Sequence, residues 1–289
     1  NAPATFQRLI DTLFVPEMRT FIETYIDDLM THSKTFEEHV THIGKVLQTL
    51  QDNQLTVKLS KCKFAQLSVK FLGHIISENE VRVNPEAIQK VLDWERPKPG
   101  TNFQKAMRGF LGLTGWYRKF IPSYADIARP LIDLTKKNAK YEWTDDHEKS
   151  FKTLINALTS APVLRAPDPS KDYILHTDAS DAAMSGVAQQ YDEKGALHPV
   201  AYWSKTFNPA QRNYSTTDRE CLALVTALEH FKTLLEGHKY VCLTDHKALI
   251  YLMKNQNSTA RLNRLMLRLA PYEIKIQYLP GKDNHGADL

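Results

Sequence analysis

These 289 residues predict an α/β protein, and three observations carry that prediction. Residues 173–178, 186–191 and 199–204 are short runs of strand formers separated by turn residues, the pattern of an antiparallel meander. Residues 216–237 then place Cys221, Leu224, Val225, Leu228, Phe231 and Leu235 at helical spacing, one apolar face that stops at Gly237. Residues 240–245 form another strand-like run, and a strand that follows a helix can lie parallel to an earlier one through a right-handed crossover. The expected architecture is a mixed five-stranded sheet with helices on both faces, preceded by an α+β stretch and a helical arm.

Composition sets the outer limits. A hydrophobic content of 42% and a charged content of 24% are ordinary for a globular protein, and the length suggests two or three domains. No run of 18 apolar residues is present and the first residues do not form a signal peptide, so neither membrane insertion nor secretion is expected. Cys62, Cys221 and Cys242 are odd in number and far apart, which fits a reducing compartment and argues against a zinc ribbon or a disulfide framework. The net charge of +4 does not by itself announce a polyanionic partner, although clustered carboxylates would mask a basic groove in that total.

In chain order, residues 1–14 read as a turn entering a helix, with Phe6, Leu9, Ile10, Leu13 and Phe14 on one stripe. The opening without methionine reads as part of a longer chain. Residues 21–30 set Asp27 and Asp28 between apolar flanks, which is unusual because aspartate is depleted from strands. A hairpin with this pair at its tip could offer both carboxylates to a divalent cation; an ordinary exposed turn explains the spacing equally well. Thr35 and Glu38 predict a capping box and a helix carrying Val40, Ile43, Val46, Leu47 and Leu50. Residues 55–59, 61–64 and 69–76 read as short strands, with Gly73 allowing a close backbone approach. Asn84-Pro85-Glu86 starts a helix that Pro97 ends, and residues 96–100 form the best linker candidate. Thr101 and Gln104 are expected to cap a helix running to Pro122, and a further helix covers 124–137. Arg118 and Lys119 could grip a nucleic-acid backbone, or they could be the solvated edge of packed helices.

The second half concentrates carboxylates. Tyr173, Leu175 and Thr177 fall on one face of a strand and Ile174, His176 and Asp178 on the other. An aspartate at a strand end is more often a turn or cap residue, so Asp178 gains weight only from partners. Asp245 repeats the arrangement, and parallel pairing would bring it to the same sheet edge. Glu220 follows Thr217 by three residues, so a capping box explains it without chemistry; the functional reading sets it in the first helical turn beside Asp178. Helices at 246–254 and 259–269 and a strand at 272–278 lead to Asp288, at the start of a last helix. Four converging carboxylates repel one another unless cations neutralise them, and two divalent ions about 3.5–4 Å apart would do so. No Ser-His-Asp triad, Walker loop or zinc-ligand spacing competes. His176, His246 and His285 lie beside these acids and read as hydrogen-bonded or solvated rather than ligating. Lys205, Arg212 and Lys247 could meet phosphates, or be ordinary solvated bases.

Residues 1–7, Tyr25-Ile26-Asp27-Asp28, Phe71-Leu72-Gly73-His74 and residues 110–122 resemble, in order and spacing, the palm, primer-gripping and thumb segments of reverse transcriptases. The closest resemblance is to the Gypsy class of long-terminal-repeat retrotransposons. It implies that Asp27 and Asp28 bind the polymerase metals and that Gln7, Tyr25, Phe71, Leu72, Gly73 and His74 contact nucleic acid. The family's third polymerase aspartate and its fingers lie upstream of residue 1, so polymerisation is expected of the full-length parent. Residues 176–180, 214–220, 243–249 and 278–288 resemble the ribonuclease H domain that follows the polymerase. That carries over Asp178, Glu220, Asp245 and Asp288 as metal ligands and Ser180 as a nucleic-acid contact. Mg²⁺, two ions per site, is the expected cofactor, with Mn²⁺ as an alternative. Because the glutamate does not come last, the Asp-Glu-Asp-Asp order sets the chain apart from integrases of the same fold superfamily.

The resemblance implies a partial palm at 1–80, a thumb- or connection-like helical region at 81–145, and a ribonuclease H domain at 146–289 with its core from about 170. The implied partners are RNA–DNA hybrid, primer–template and, in the parent, dNTPs, in a cytoplasmic virus-like particle or the nucleus; homodimer formation is left open. The implied reaction is hydrolysis of the RNA strand of a hybrid. The alternative, a catalytically inactive nucleic-acid-binding or assembly module, would be marked by a lost carboxylate, and all four are present.

Overall fold

A computed structural model of the chain describes residues 2–18, 20–100, 102–254 and 259–280. The chain divides into two compact units, residues 1–78 and residues 79–289.

The first unit begins with helix α1 (Ala2–Phe14) and the hairpin β1 (Ile22–Tyr25) and β2 (Asp28–Thr31). Helix α2 (Phe36–Asp52) follows, then the hairpin β3 (Ser68–Phe71) and β4 (His74–Ser77). Its core is small: Ile10 and Phe14 of α1 meet Phe21, Ile22, Val46 and Leu50. The cap of α2 forms as expected at Thr35, whose hydroxyl accepts from the Glu38 N–H at 3.2 Å. The reciprocal half differs, because the Glu38 carboxylate accepts from the Lys34 N–H rather than from Thr35.

Residues 55–59 and 61–64 do not form the expected strands. Gln54 turns the backbone to a φ of 57°, residues 59–61 wind into a 3-10 turn, and Val57 and Leu59 stay exposed. Among the described residues no strand pairs with this stretch, and an unpaired strand does not persist. Gly73 serves a turn: Leu72 and Gly73 both adopt positive φ, 48° and 76°, to join β3 to β4.

The second unit opens with β5 (Glu80–Val83) and the helices α3 (Pro85–Leu92), α4 (Phe103–Trp116), α5 (Tyr124–Asp133) and α6 (Asp145–Thr159). Asn84 caps α3, which ends at Leu92, short of Pro97. Helix α4 stops at Trp116 and gives way to a 3-10 turn at 118–120, while α5 ends at Asp133, before the lysines expected to finish it. Thr101, expected as a cap, lies outside the described residues; Gln104 instead donates to the Lys136 carbonyl at 2.8 Å. The sequence reading assigned no helix to α6, although Phe151, Leu154 and Leu158 give it a buried stripe.

Next come β6 (Leu164–Arg165), which pairs with β5, and the meander β7 (Tyr173–Ala179), β8 (Ala183–Tyr191) and β9 (Leu197–Thr206). Helices α7 (Pro209–Arg212), α8 (Thr216–His230) and α9 (Lys232–Leu235) precede β10 (Tyr240–Thr244). The unit continues through α10 (Lys247–Lys254), α11 (Ala260–Leu269) and β11 (Lys275–Tyr278). The five-stranded sheet has the order β11-β10-β7-β8-β9, with β10 parallel to both neighbours and the meander antiparallel. Both faces are covered. Met184, Ala188 and Trp203 pack with α8 and α11, while the cross-strand pair Val187 and Tyr202 packs with side chains of α3 to α6. The helical arm and the sheet therefore share one core. No described helix is long and apolar enough to cross a membrane.

Candidate active site

Strand β7 delivers Asp178 next to its end, and β10 delivers Asp245 immediately beyond its own. The two strands run parallel in a register that pairs Tyr240 with Tyr173 and Leu243 with His176; extended two residues, it sets Asp245 beside Asp178. Helix α8 crosses this edge and brings Glu220. Oxygens of the three carboxylates lie within 4.8 Å of one another, the one such cluster of acidic, histidine or cysteine groups among the described residues.

Glu220 is not a capping residue. Ser215 caps α8, its hydroxyl accepting from the Asp218 N–H at 3.1 Å, so Glu220 stands in the second turn, one step deeper than the sequence reading set it. Its side chain is buried, at 4% exposure, and Oε2 has no hydrogen-bond partner. Burial first, then the charges of Asp178 and Asp245, push its pKa up from 4.5 to about 8, against the Ala179 N–H and the Arg219 charge that pull it down. An orphaned oxygen in a buried carboxylate is costly unless something absent from the protein chain completes it. The chemistry of the donor set, three carboxylates, suits a hard divalent cation.

The surrounding contacts fix this geometry. The Thr217 hydroxyl and His246 Nε2 are 3.0 Å apart, and the His246 N–H donates to the Thr244 hydroxyl at 3.1 Å, so the end of β10 is tied to the first turn of α8. His246 thus acts as a hydrogen-bonding side chain, and His176 is buried within β7. Arg219 Nη1 donates to Asp181 at 2.6 Å and to the Ser180 carbonyl at 3.2 Å, holding the turn after Asp178. The Ser180 hydroxyl, expected at the nucleic acid, donates to Asp126 of α5 at 2.9 Å and accepts from the Ala182 and Ala183 N–H groups. The sequence reading took Thr217 for a cap, where the structure gives it to His246, and it missed Asp126, because an acid in a distant helix carries no spacing signal toward Asp178. Asp288 and His285 lie outside the described residues. Cys221 and Cys242 are free thiols whose burial pushes both to about 12, so they are inert at neutral pH.

In the first unit the hairpin turn holds Ile26, at a φ of 52°, and Asp27, while Asp28 begins β2 opposite Tyr25. Tyr25, Asp27 and Asp28 are exposed. Gln7 reaches this turn from α1: its Oε1 accepts from the Ile26 N–H, and its Nε2 donates to Asp11 at 2.5 Å and to Thr24 at 3.4 Å. Among the described residues Asp27 and Asp28 find no third metal-ligating side chain. Phe71, Leu72, Gly73 and His74 form the β3–β4 turn, where His74 Nδ1 lies 2.8 Å from the Leu72 carbonyl.

Comparisons with known proteins agree with this division. A family model described as an RNase H-like domain found in reverse transcriptase matches residues 143–242, which include Asp178 and Glu220 and stop short of Asp245. A second, described as reverse transcriptase (RNA-dependent DNA polymerase), matches residues 1–76. The Transposon Tf2-3 polyprotein of Schizosaccharomyces pombe is 39% identical over 292 residues, covering 100% of this chain, and the Tf2-7 polyprotein is 38% identical over 291. The chain spans 22% of the length of these polyproteins. Among solved structures, the foamy viral protease-reverse transcriptase in complex with RNA/DNA hybrid matches at a TM-score of 0.80 and 23% identity, over 98% of this chain and 39% of that one. The foamy viral dRH form in complex with ds DNA matches at 0.79 and 23%, over 96% of this chain and 49% of that one. At such identity the likeness speaks for the fold. Residues 1–76 thus belong to the reverse transcriptase family and residues 143–242 to the RNase H-like domains found in reverse transcriptase, in a chain similar over its whole length to transposon polyproteins.

Proposed function

We propose that residues 79–289 hydrolyse the RNA strand of an RNA–DNA hybrid with the help of divalent cations, Mg²⁺ foremost and Mn²⁺ as an alternative. The observation that carries this reading is the carboxylate trio, three acids within 4.8 Å whose most buried member keeps an oxygen without a partner. Asp178, Glu220 and Asp245 would hold the ions, with Asp288 as the fourth ligand by its place in the sequence. When bound, two such ions neutralise the site and supply the Lewis acidity for phosphodiester hydrolysis.

The chain's own contribution is preorganisation. Asp178 and Asp245 stand at the ends of paired strands, and Glu220 is held by the Ala179 N–H, so the ligands need little rearrangement on binding. Without cations the trio repels a phosphate, so substrate binding at this edge should depend on them. Choice of an RNA strand would rest on 2′-hydroxyl contacts and hybrid shape rather than on base sequence.

For the longer protein, Asp27 and Asp28 would bind polymerase metals, with primer–template and dNTPs as substrates, and Gln7 would hold their turn. The test of the nuclease reading is a substrate panel in Mg²⁺: end-labelled RNA–DNA hybrid, single-stranded RNA and DNA duplex. Cutting confined to the RNA of the hybrid supports it. Equal cutting of all three, or of none by folded protein, refutes it.

A further inference from the structure

The turn between β7 and β8 is gripped by two helices. From α8, Arg219 Nη1 donates to the Ser180 carbonyl at 3.2 Å and to Asp181 at 2.6 Å. From α5, across 54 residues of sequence, Asp126 accepts the Ser180 hydroxyl proton at 2.9 Å. A serine Oγ carries one proton and two lone pairs. Here the lone pairs take the Ala182 and Ala183 N–H groups at 3.1 and 2.9 Å. The proton goes to Asp126 rather than to the Ala183 carbonyl at 3.2 Å, because the carboxylate is nearer and charged. The Ser180 N–H closes the same turn on the Ala183 carbonyl at 2.9 Å. Asp126 thus orients a side chain whose hydrogen-bonding capacity is spent on this turn.

The metal-binding edge depends on that turn. Asp178 lies two residues before Ser180, and Ala179, between them, donates its N–H to Glu220. A rotation of the turn would move one ligand and the donor that holds another. Helix α5 is a fixed point against such a rotation. Ser204 of β9 accepts the Ala125 N–H at 2.8 Å, and Tyr124 and Ala128 are buried in the core shared with the sheet. Asp126 itself is outside the trio's 4.8 Å cluster, so it reaches the ions only through Ser180.

We infer that Asp126 is a positioning residue of the nuclease site: through the Ser180 hydroxyl it anchors the turn after Asp178 to the helical arm, and so sets how Asp178 and Glu220 meet the metal. The inference rests on the metal-dependent nuclease reading and adds to it a residue from another element of the fold.

The experiment measures Mn²⁺ binding to the 289-residue chain by electron paramagnetic resonance, without substrate, counting only the binding that Asp178→Asn removes. Beside it stand kcat and KM for hybrid cleavage in Mg²⁺, and urea melts. Asp126→Ala should weaken Mn²⁺ binding and lower kcat, each about 10-fold, with KM unchanged. Ser180→Ala should weaken Mn²⁺ binding equally and carries the test if Asp126→Ala does not fold; the double variant should lose no more than either. Asp126→Asn keeps an acceptor oxygen and should retain most of both properties. Ser204→Ala cuts the neighbouring bond between α5 and the sheet, and should lower the urea midpoint without weakening Mn²⁺ binding. Unchanged Mn²⁺ binding in Asp126→Ala, or a kinetic change confined to KM, overturns the inference. So does an equal loss in Asp126→Asn, which would make the charge the cause, or in Ser204→Ala, which would reduce the role to stability. A wild type that neither cuts nor binds Mn²⁺ overturns both readings. Asp126-dependent Mn²⁺ binding in a chain that cuts no hybrid upholds the inference and removes the nuclease reading alone.

Discussion

Glu220 accepts a hydrogen bond from the backbone N–H of Ala179, the residue after Asp178, so the helix that carries one acid is fastened to the strand that carries another. That bond and the unpartnered Oε2 describe a side chain held for a ligand rather than for stability.

Glu220→Gln should therefore separate stability from activity. Glutamine fills the same space and can still accept from Ala179, but it removes a buried charge that burial and two neighbouring carboxylates oppose. In EDTA at pH 8 to 9 the variant should be at least as stable as the wild type, while its hybrid cleavage falls by a factor of about 100 or more. Urea melts beside a cleavage assay check both. A variant less stable than the wild type under those conditions would show that Glu220 holds the fold.

The same carboxyl predicts a pH dependence. Its folded pKa of about 8 lies above the ordinary 4.5, so the native state keeps a proton that the unfolded chain has released between those values. Its stabilising contribution is complete below pH 4.5 and is lost as pH rises through 8, at up to about 1.4 kcal/mol per pH unit. Metal-free protein should lose stability from pH 5 to 8 beyond what Glu220→Gln shows, and millimolar Mg²⁺ should restore it at pH 8. Thermal melts at both pH values, with and without Mg²⁺, provide the measurement.

Gly186 tests how closely α8 must approach the sheet. A Cβ there would stand 3.1 Å from the His176 carbonyl oxygen and 3.4 Å from Ala227 Cβ. Gly186→Ala should cost about 1–3 kcal/mol and, by pushing α8 outward, weaken cleavage more than nucleic-acid binding. Equal stability in denaturant titrations would show that the helix has room.

Arg261 pairs with Asp218 at 2.9 Å and lies over the Tyr214 ring, 3.9 Å from its centroid. Asp218 is buried and its other oxygen has no partner. Arg261→Ala should cost about 1–3 kcal/mol, less than a fully buried pair because Arg261 is half exposed. Adding Asp218→Asn should recover part of that loss in a double-mutant cycle.

Much of the site was legible in the sequence because strand-plus-aspartate is a local signal. Residues 173–178 and 240–245 both ended in Thr-Asp, and the intervening helix was enough to suggest parallel pairing. Glu220 was ambiguous because Thr217 offered a plausible cap; the choice of Ser215 depends on where the chain leaves the turn after α7, a tertiary matter. Residues 55–59 misled because alternation reports faces, not partners, and no strand among the described residues pairs with them. The shared core of the helical arm and the sheet was invisible for a related reason: Val187 and Tyr202 look like any strand residues until the helices opposite them are known.

The most direct test of the central claim is cleavage of an end-labelled RNA–DNA hybrid by the wild type, Asp178→Asn and Glu220→Gln in Mg²⁺. The account predicts RNA cut to 3′-hydroxyl and 5′-phosphate ends by the wild type, no cutting in EDTA, and a loss of about 100-fold or more in both variants while hybrid binding persists. Cutting that survives both substitutions would contradict it and move the chemistry away from the trio.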